Sequence, residues 1–422
     1  MAVIGGGSTY TPELVEGFLA HTDRLPVDEL VLHDVDPQRL EVVGGLARRI
    51  MTRRGWPGKL VLTAERDRAI DGAQFVIVQL RVGGQAARLL DETLPLEFGC
   101  IGQETTGPGG FAKALRTVPV VLDIAESTAT RGAKDAWVVD FTNPVGIVSQ
   151  ALLDEGHKAI GLCNVAIGFQ RRFAARLGVL PDRVALEHVG LNHLTWERAV
   201  RVDGEDRLPQ LIESAADEIG ADIGSPAELI RLLGAIPSYY LRYFYFTDSV
   251  LAGQLSGAHR SRAEEVMAIE KTLLEMYRDP ELAEKPKLLE QRGGAFYSEA
   301  AAQLIASLHA GTGDQQVVDI RNDGAIPGLP DDAVVEIPAR IDSSGATAGR
   351  FEPLAPELLG LVQQVKAYER LAVEAAIHGD RKAALKALLA NPLVGRYNVA
   401  TALLDALLDA NRRHLPRFFA RG

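Results

Sequence analysis

The chain has 422 residues, 47% hydrophobic and 24% charged, with a formal net charge of −11. These are globular values in a chain too long for one ordinary core, and the acidic balance argues against a general nucleic-acid or anionic-membrane partner. Two cysteines, Cys100 and Cys163, point to a reducing, cytoplasmic setting, and no apolar run approaches a membrane span.

The chain opens on an apolar strand that runs into Gly5, Gly6 and Gly7, followed by Ser8, Thr9 and Tyr10. A helix is predicted over 12–20. Glycines let a backbone turn tightly and approach a phosphate, while free N–H groups at a helix start face the anion. Tyr10 stands where the usual G-x-G-x-x-G pattern has its third glycine. A second strand over 30–34 ends at Asp34, where an acid would meet the ribose hydroxyls of NAD. A glycine-rich turn without a ligand fits the same residues. Because the first strand already belongs to the fold, no signal peptide is expected.

A helix is predicted over 37–51. Short apolar runs at 75–80, 137–142 and 159–163 read as buried parallel strands. Together they predict an α/β fold with a Rossmann-like doubly wound sheet, whose ligands lie at the carboxyl ends of its strands. Arg81, Asn143, Cys163 and Asn164 all follow such ends. The stretch 102–110 (GQETTGPGG) is too glycine-rich for a regular element and reads as a long loop.

The pattern changes after about residue 180. Strands over 184–188 and 195–202 are expected to be antiparallel, with another over 334–337. Helices are predicted over 208–219, 239–247 and 262–277, and three more over 356–378, 381–390 and 400–412. We therefore expect an NAD-binding domain over 1–165 and an α+β domain over 166–422 carrying substrate, metal and oligomer contacts.

Cys163 and His193 are 30 residues apart, so no local metal motif joins them. A thiolate and an imidazole over one crevice could bind a divalent metal and leave positions open for substrate. From spacing alone, a buried cysteine and a core histidine is the favoured reading. Four tyrosines lie within 239–245, which reads as a packing stripe or as a source of a base. Arg88, Arg262 and Arg292 lie near glycine or polar residues and suit a phosphate by their planar fork.

Seven ordered motifs carry a resemblance: 4–13 (IGGGSTYTPE), 102–110 (GQETTGPGG), 141–144 (FTNP), 161–165 (GLCNV), 190–194 (GLNHL), 240–243 (YLRY) and 292–294 (RGG). Together they resemble glycoside hydrolase family 4 over nearly the whole chain. The resemblance implies NAD- and divalent-metal-dependent hydrolysis of 6-phospho-β-glucosides. Its route is C3 oxidation, C2 deprotonation, elimination, water addition and reduction. By motif it makes Cys163 and His193 ligands of a metal, usually manganese. Tyr240 matches the base that removes the C2 proton, and Glu104 the acid that increases its basicity. Arg88, Asn143 and Arg262 match substrate-contacting positions, and Asn164 the asparagine of β-specific members. The family also implies a homo-oligomer, a dimer or tetramer. A hydroxy-acid dehydrogenase and a non-catalytic NAD sensor are the alternatives from other classes.

Overall fold

The computed structural model describes residues 1–258, 260–294 and 296–420. Six parallel strands come first: β1 (Ala2–Ile4), β2 (Glu29–His33), β3 (Lys59–Thr63), β4 (Phe75–Val78), β5 (Trp137–Asp140) and β6 (Ala159–Gly161). They lie in the order β3-β2-β1-β4-β5-β6, the doubly wound arrangement expected. Strands β1 and β4 are buried at every position, as strands covered on both faces must be. The helix Pro37–Arg53 starts where the Asp36 carboxylate accepts the N–H groups of Gln38 and Arg39, both at 3.0 Å.

The chain after residue 180 extends the same sheet. Strands β7 (Val184–Leu191) and β8 (Leu194–Val202) form an antiparallel hairpin, as predicted, and the short β9 (Glu205–Asp206) and β10 (Ile236–Pro237) border β8. Strand β11 (Asp314–Arg321), absent from the sequence reading, pairs along its length with β12 (Val334–Asp342), and β13 (Gly345–Ala348) pairs with β12. Strand β11 joins β6 through Asp319 opposite Gly161, and β12 joins β7 through Glu336 opposite Gly190. The two regions therefore share one sheet.

One row of paired residues crosses nearly all of it: Thr63, His33, Ile4, Val78, Asp140, Gly161, Asp319, Glu336, Gly190 and Thr195. On the parallel side this row marks the carboxyl ends of the strands.

Two sequence expectations are corrected. The stretch 102–110 is not all loop, because the helix Gly107–Arg131 begins inside it. Its glycines are there for close backbone approach. A Cβ on Gly109 would lie 2.3 Å from the carbonyl oxygens of Asp91 and Gln103. The helix expected over 239–247 is broken into a 3₁₀ turn, Tyr239–Leu241, and a short helix, Arg242–Tyr245. The Arg242 guanidinium lies over the rings of Tyr239 at 4.1 Å and Tyr243 at 5.0 Å, so local aromatic packing sets this conformation.

The helix glycines give a paired prediction. Gly109→Ala should destabilise the fold by about 1–3 kcal/mol through overpacking. Gly45→Ala, on a helix position whose nearest Cβ neighbour is the flexible tip of Arg49 at 3.5 Å, should stabilise by about 0.5–1 kcal/mol. Urea midpoints of the two variants check both signs.

Candidate active site

The glycine triplet folds back on the end of β2. Gly5 and Gly6 donate to the carbonyl of His33 at 2.9 and 2.7 Å, and Gly7 donates to the Asp34 carboxylate at 2.9 Å. Gly5 has a φ of +95°, and a Cβ there would lie 2.4 Å from the Gln79 carbonyl oxygen. A Cβ on Gly7 would lie 2.7 Å from the Asp34 carboxyl group. The structure thus brings Gly5, Gly6, Gly7 and Asp34 into one turn, with Ser8 and Thr9 at its tip.

Tyr10 accounts for the missing third glycine. Its hydroxyl donates to the Gly294 carbonyl at 2.7 Å and accepts the Ser298 N–H at 3.0 Å, so it anchors the distant 292–294 motif to the turn. Arg292 donates to the Thr9 hydroxyl at 2.7 Å and pairs with Glu270 at 3.1 Å. Arg39 donates to the Gly7 carbonyl at 2.7 Å and pairs with Glu270 at 3.0 Å. Glu270 lies on the helix Arg262–Tyr277 and ties two arginines to the turn. Sequence reasoning missed Glu270 and Arg39, since nothing local distinguishes them from surface charges.

The second cluster gathers beyond β6 and the β7–β8 hairpin. Asn192 and His193 are the only residues between Leu191 and Leu194, which pair with each other. His193 occupies the left-handed region at φ 62°. Its Nδ1 lies 3.1 Å from the Thr105 hydroxyl, leaving Nε2 as the nitrogen able to ligate. The Tyr240 ring stacks on the imidazole with centroids 3.6 Å apart and planes 11° apart. Cys163 is buried one residue beyond Leu162, and the Tyr297 hydroxyl lies 3.8 Å from its sulfur. Asn164 follows at the start of the helix Val165–Leu177.

Glu104 is held by three cations. Arg88 lies at 3.1 Å, Lys113 at 2.8 Å, and Arg81 makes a closer contact. Arg88 also pairs with Glu92 at 2.7 Å, and Glu92 accepts the Ala263 N–H at 2.7 Å. Arg262, next in the chain, is thereby brought beside the cluster, but its own guanidinium turns to Glu265 and the Gln291 carbonyl at the surface. The Asn143 Oδ1 is buried without a hydrogen-bond partner, a vacant acceptor of the kind a bound hydroxyl or amine would fill. Arg81 was read from sequence only as a residue beyond a strand end, and Lys113 was not singled out. A lone lysine in the apolar run 111–115 (FAKAL) was the available signal.

Burial and charge set the protonation states. Burial works to raise the Glu104 pKa, but Arg81, Lys113 and Arg88 hold it well below the usual carboxylate range, so it is ionised. Burial lowers Lys113 to about 8 despite Glu104. Burial brings His193 down to about 4, which leaves a neutral imidazole fit to ligate. Burial pushes the Cys163 thiol well up, and Glu336 adds to the shift. Burial also raises Tyr240 well above the ordinary phenol value, with Cys163, Tyr243 and Glu104 adding to it. The arrangement therefore disfavours the charged forms of Cys163 and Tyr240 and gathers three cations around Glu104.

The family described as family 4 glycosyl hydrolases matches residues 1–179, and its C-terminal domain matches residues 188–394. The chain belongs to glycosyl hydrolase family 4. The probable 6-phospho-beta-glucosidase of Bacillus subtilis (strain 168) is 43% identical over 432 residues, covering 99% of this chain and 98% of that protein. The 6-phospho-beta glucosidase of Thermotoga maritima, solved with manganese, NAD+ and glucose-6-phosphate, matches with a TM-score of 0.91 at 38% identity and 98% coverage of each chain. The 6-phospho-alpha-glucosidase of Leptotrichia buccalis is 30% identical, over 99% of this chain and 98% of that one.

In this family 4 chain the Glu104 cluster makes a stability prediction. Glu104→Ala would leave the buried Arg88 and Lys113 and the half-buried Arg81 without their shared anion and should cost about 3–5 kcal/mol. The folded pKa of Glu104 lies below its ordinary 4.5, so its contribution is complete above that pH and is lost as pH falls through the folded value. The gap in urea midpoint between wild type and variant should therefore be full at pH 7 and shrink below pH 4.5.

Proposed function

We propose that this chain hydrolyses 6-phospho-β-glucosides with NAD+ and a divalent metal, manganese by likeness to its family. The observation that carries the reading is the Tyr240 ring stacked at 3.6 Å on His193, with Cys163 raising the cost of ionising the same phenol. A candidate base thus lies against one candidate ligand, His193, and within electrostatic reach of the other, Cys163. The donor set fits a metal with open positions. Cys163 offers sulfur and His193 offers Nε2, and among the described residues no set of three or more His, Cys, Asp or Glu is placed to close the coordination. The glycine turn fits a dinucleotide by its backbone approach and by Asp34.

When bound, NAD+ exchanges the C3 hydride and the metal polarises the C3 carbonyl, which acidifies the neighbouring C2–H. Tyr240 takes the C2 proton, and the aglycone leaves C1 by elimination, its oxygen taking up a proton from solvent. Water then adds at C1 while Tyr240 returns a proton to C2. The phenol pKa that burial raises would be lowered by a bound divalent metal and the nicotinamide cation. Glu104 remains ionised and favours proton capture by Tyr240. Arg88, Asn143, Asn164 and Arg262 contact the sugar phosphate. The Asn143 acceptor and the surface-held Arg262 would both find new partners there. Asn164, together with greater identity to the β-specific relative than to the α-specific one, supports β-glucosides. A cytoplasmic dimer or tetramer, with domains divided near residue 165, belongs to the same reading. Among the described residues no helix is long and apolar enough to cross a membrane.

Turnover of a chromogenic 6-phospho-β-glucoside should require NAD+, Mn2+ and reductant, with no net NADH formed. Full activity after removal of NAD+ would contradict the reading, and steady NADH accumulation would point to a dehydrogenase. Tyr240→Phe should lower kcat by about 100-fold or more, as loss of a general base does, with NAD+ binding unchanged by fluorescence titration.

A further inference from the structure

A buried chain of polar side chains runs beneath the β7–β8 turn. Asn192 Nδ2 donates to Glu336 Oε2 at 2.6 Å. The other oxygen of Glu336 lies 2.7 Å from His188 Nε2, and His188 Nδ1 lies 2.5 Å from Glu197. His188, Glu197 and Glu336 are each no more than 1% exposed. The register fixes them: His188 faces Glu197 across the hairpin, and Glu336 faces Gly190 from β12. Asp319 faces Glu336 from the other side. Burial works to lower the His188 pKa, but Glu197 and Glu336 raise it to about 10, so it is an imidazolium donating to both carboxylates.

This chain of contacts ends one residue before His193. In a two-residue turn, a positive φ at the second position is ordinary for glycine or asparagine and strained for a residue with a large side chain. His193 is held there at φ 62°. Gly190, at the base of the turn, has no room for a side chain, since a Cβ would lie 2.1 Å from the Leu194 carbonyl oxygen. The missing side chain lets β7 and β8 approach closely at the base of the turn, and Asn192 ties the turn to β12.

We propose that Asn192 and Glu336 are positioning residues for His193: their hydrogen bond locks the strained turn so that the imidazole is presented to the metal pocket. The inference rests on the reading of Cys163 and His193 as metal ligands. It makes the Glu336–His188–Glu197 network an outer support whose loss loosens metal binding while the dinucleotide site stays intact.

The test is the affinity of the full-length protein for Mn2+ alone, read from the electron paramagnetic resonance signal of the free ion. NAD+ affinity is measured in parallel. Wild type, Asn192→Ala, Glu336→Gln, their double variant and His193→Ala are compared. The proposal expects Asn192→Ala and Glu336→Gln each to weaken Mn2+ binding about tenfold or more, as outer-shell changes do. The double variant should be no weaker than the weaker single, because both act through one bond. NAD+ affinity should stay within about twofold. Unchanged Mn2+ affinity in Asn192→Ala would overturn the positioning role, as would proportional loss of Mn2+ and NAD+ affinity together. Should Glu336→Gln fail to fold, Asn192→Ala decides alone. If wild type binds no Mn2+, or His193→Ala binds it as wild type does, the metal-ligand reading itself fails, an outcome distinct from the others.

Discussion

The site depends on one row of backbone pairing that runs from Thr63 across to Thr195. Each parallel strand ends on this row, and the chain beyond it has left the ladder and is free to bind. Gly5, Asp34, Arg81, Asn143 and Cys163 all lie within three residues past it on their own strands. The antiparallel half joins the same row at Asp319, Glu336 and Gly190. His193 is thereby carried to the same edge as Cys163, although its hairpin belongs to the antiparallel part of the sheet. The two junctions are narrow. A small residue faces an acid at each, Gly161 opposite Asp319 and Gly190 opposite Glu336. A Cβ on Gly161 would lie 2.2 Å from the Ser149 hydroxyl, so the helix Val145–Asp154 approaches as closely as the sheet allows.

Electrostatics divides this edge into two zones. Around Glu104, three cations face two carboxylates, Glu104 and Glu92, and the remaining positive charge suits a phosphorylated ligand. Around Cys163, His193 and Tyr240, burial disfavours every charged form, and the surrounding carboxylates make ionisation of the thiol and phenol harder still. Cations would reverse that balance by favouring thiolate and phenolate. Chemistry by proton removal next to a carbonyl needs such a pocket, and it does not need two opposed carboxylates. The only carboxylate among the candidate catalytic residues, Glu104, is committed to ion pairs and held ionised.

Much of the parallel half was legible in the sequence because its signals are local. Buried parallel strands read as short apolar runs, and the glycine triplet states its own backbone requirement. The antiparallel hairpin was legible for the same reason. The helix inside 102–110 was not, because its glycines answer to the backbones of Asp91 and Gln103, which are remote in sequence or set by the turn itself. Strand β11 carries charged and amide residues at Asp314, Gln315, Gln316 and Asp319, which hides its pairing with β12. Tyr10 looked like a defect in a fingerprint, and its purpose lies 284 residues away at Gly294. Of the candidate site, the motif residues could be named from sequence, whereas their supports could not. Lys113, Glu270 and Glu336 act through partners that only the fold supplies.

The central claim is that hydrolysis passes through removal and return of the C2 proton. The most direct measurement is the isotopic content of the released sugar phosphate after turnover of a 6-phospho-β-glucoside in D2O, read by NMR at C2. The account predicts deuterium at C2, since the proton taken by Tyr240 mixes with solvent before it is returned. A product that keeps its full complement of hydrogen at C2 would contradict it and favour direct displacement at C1.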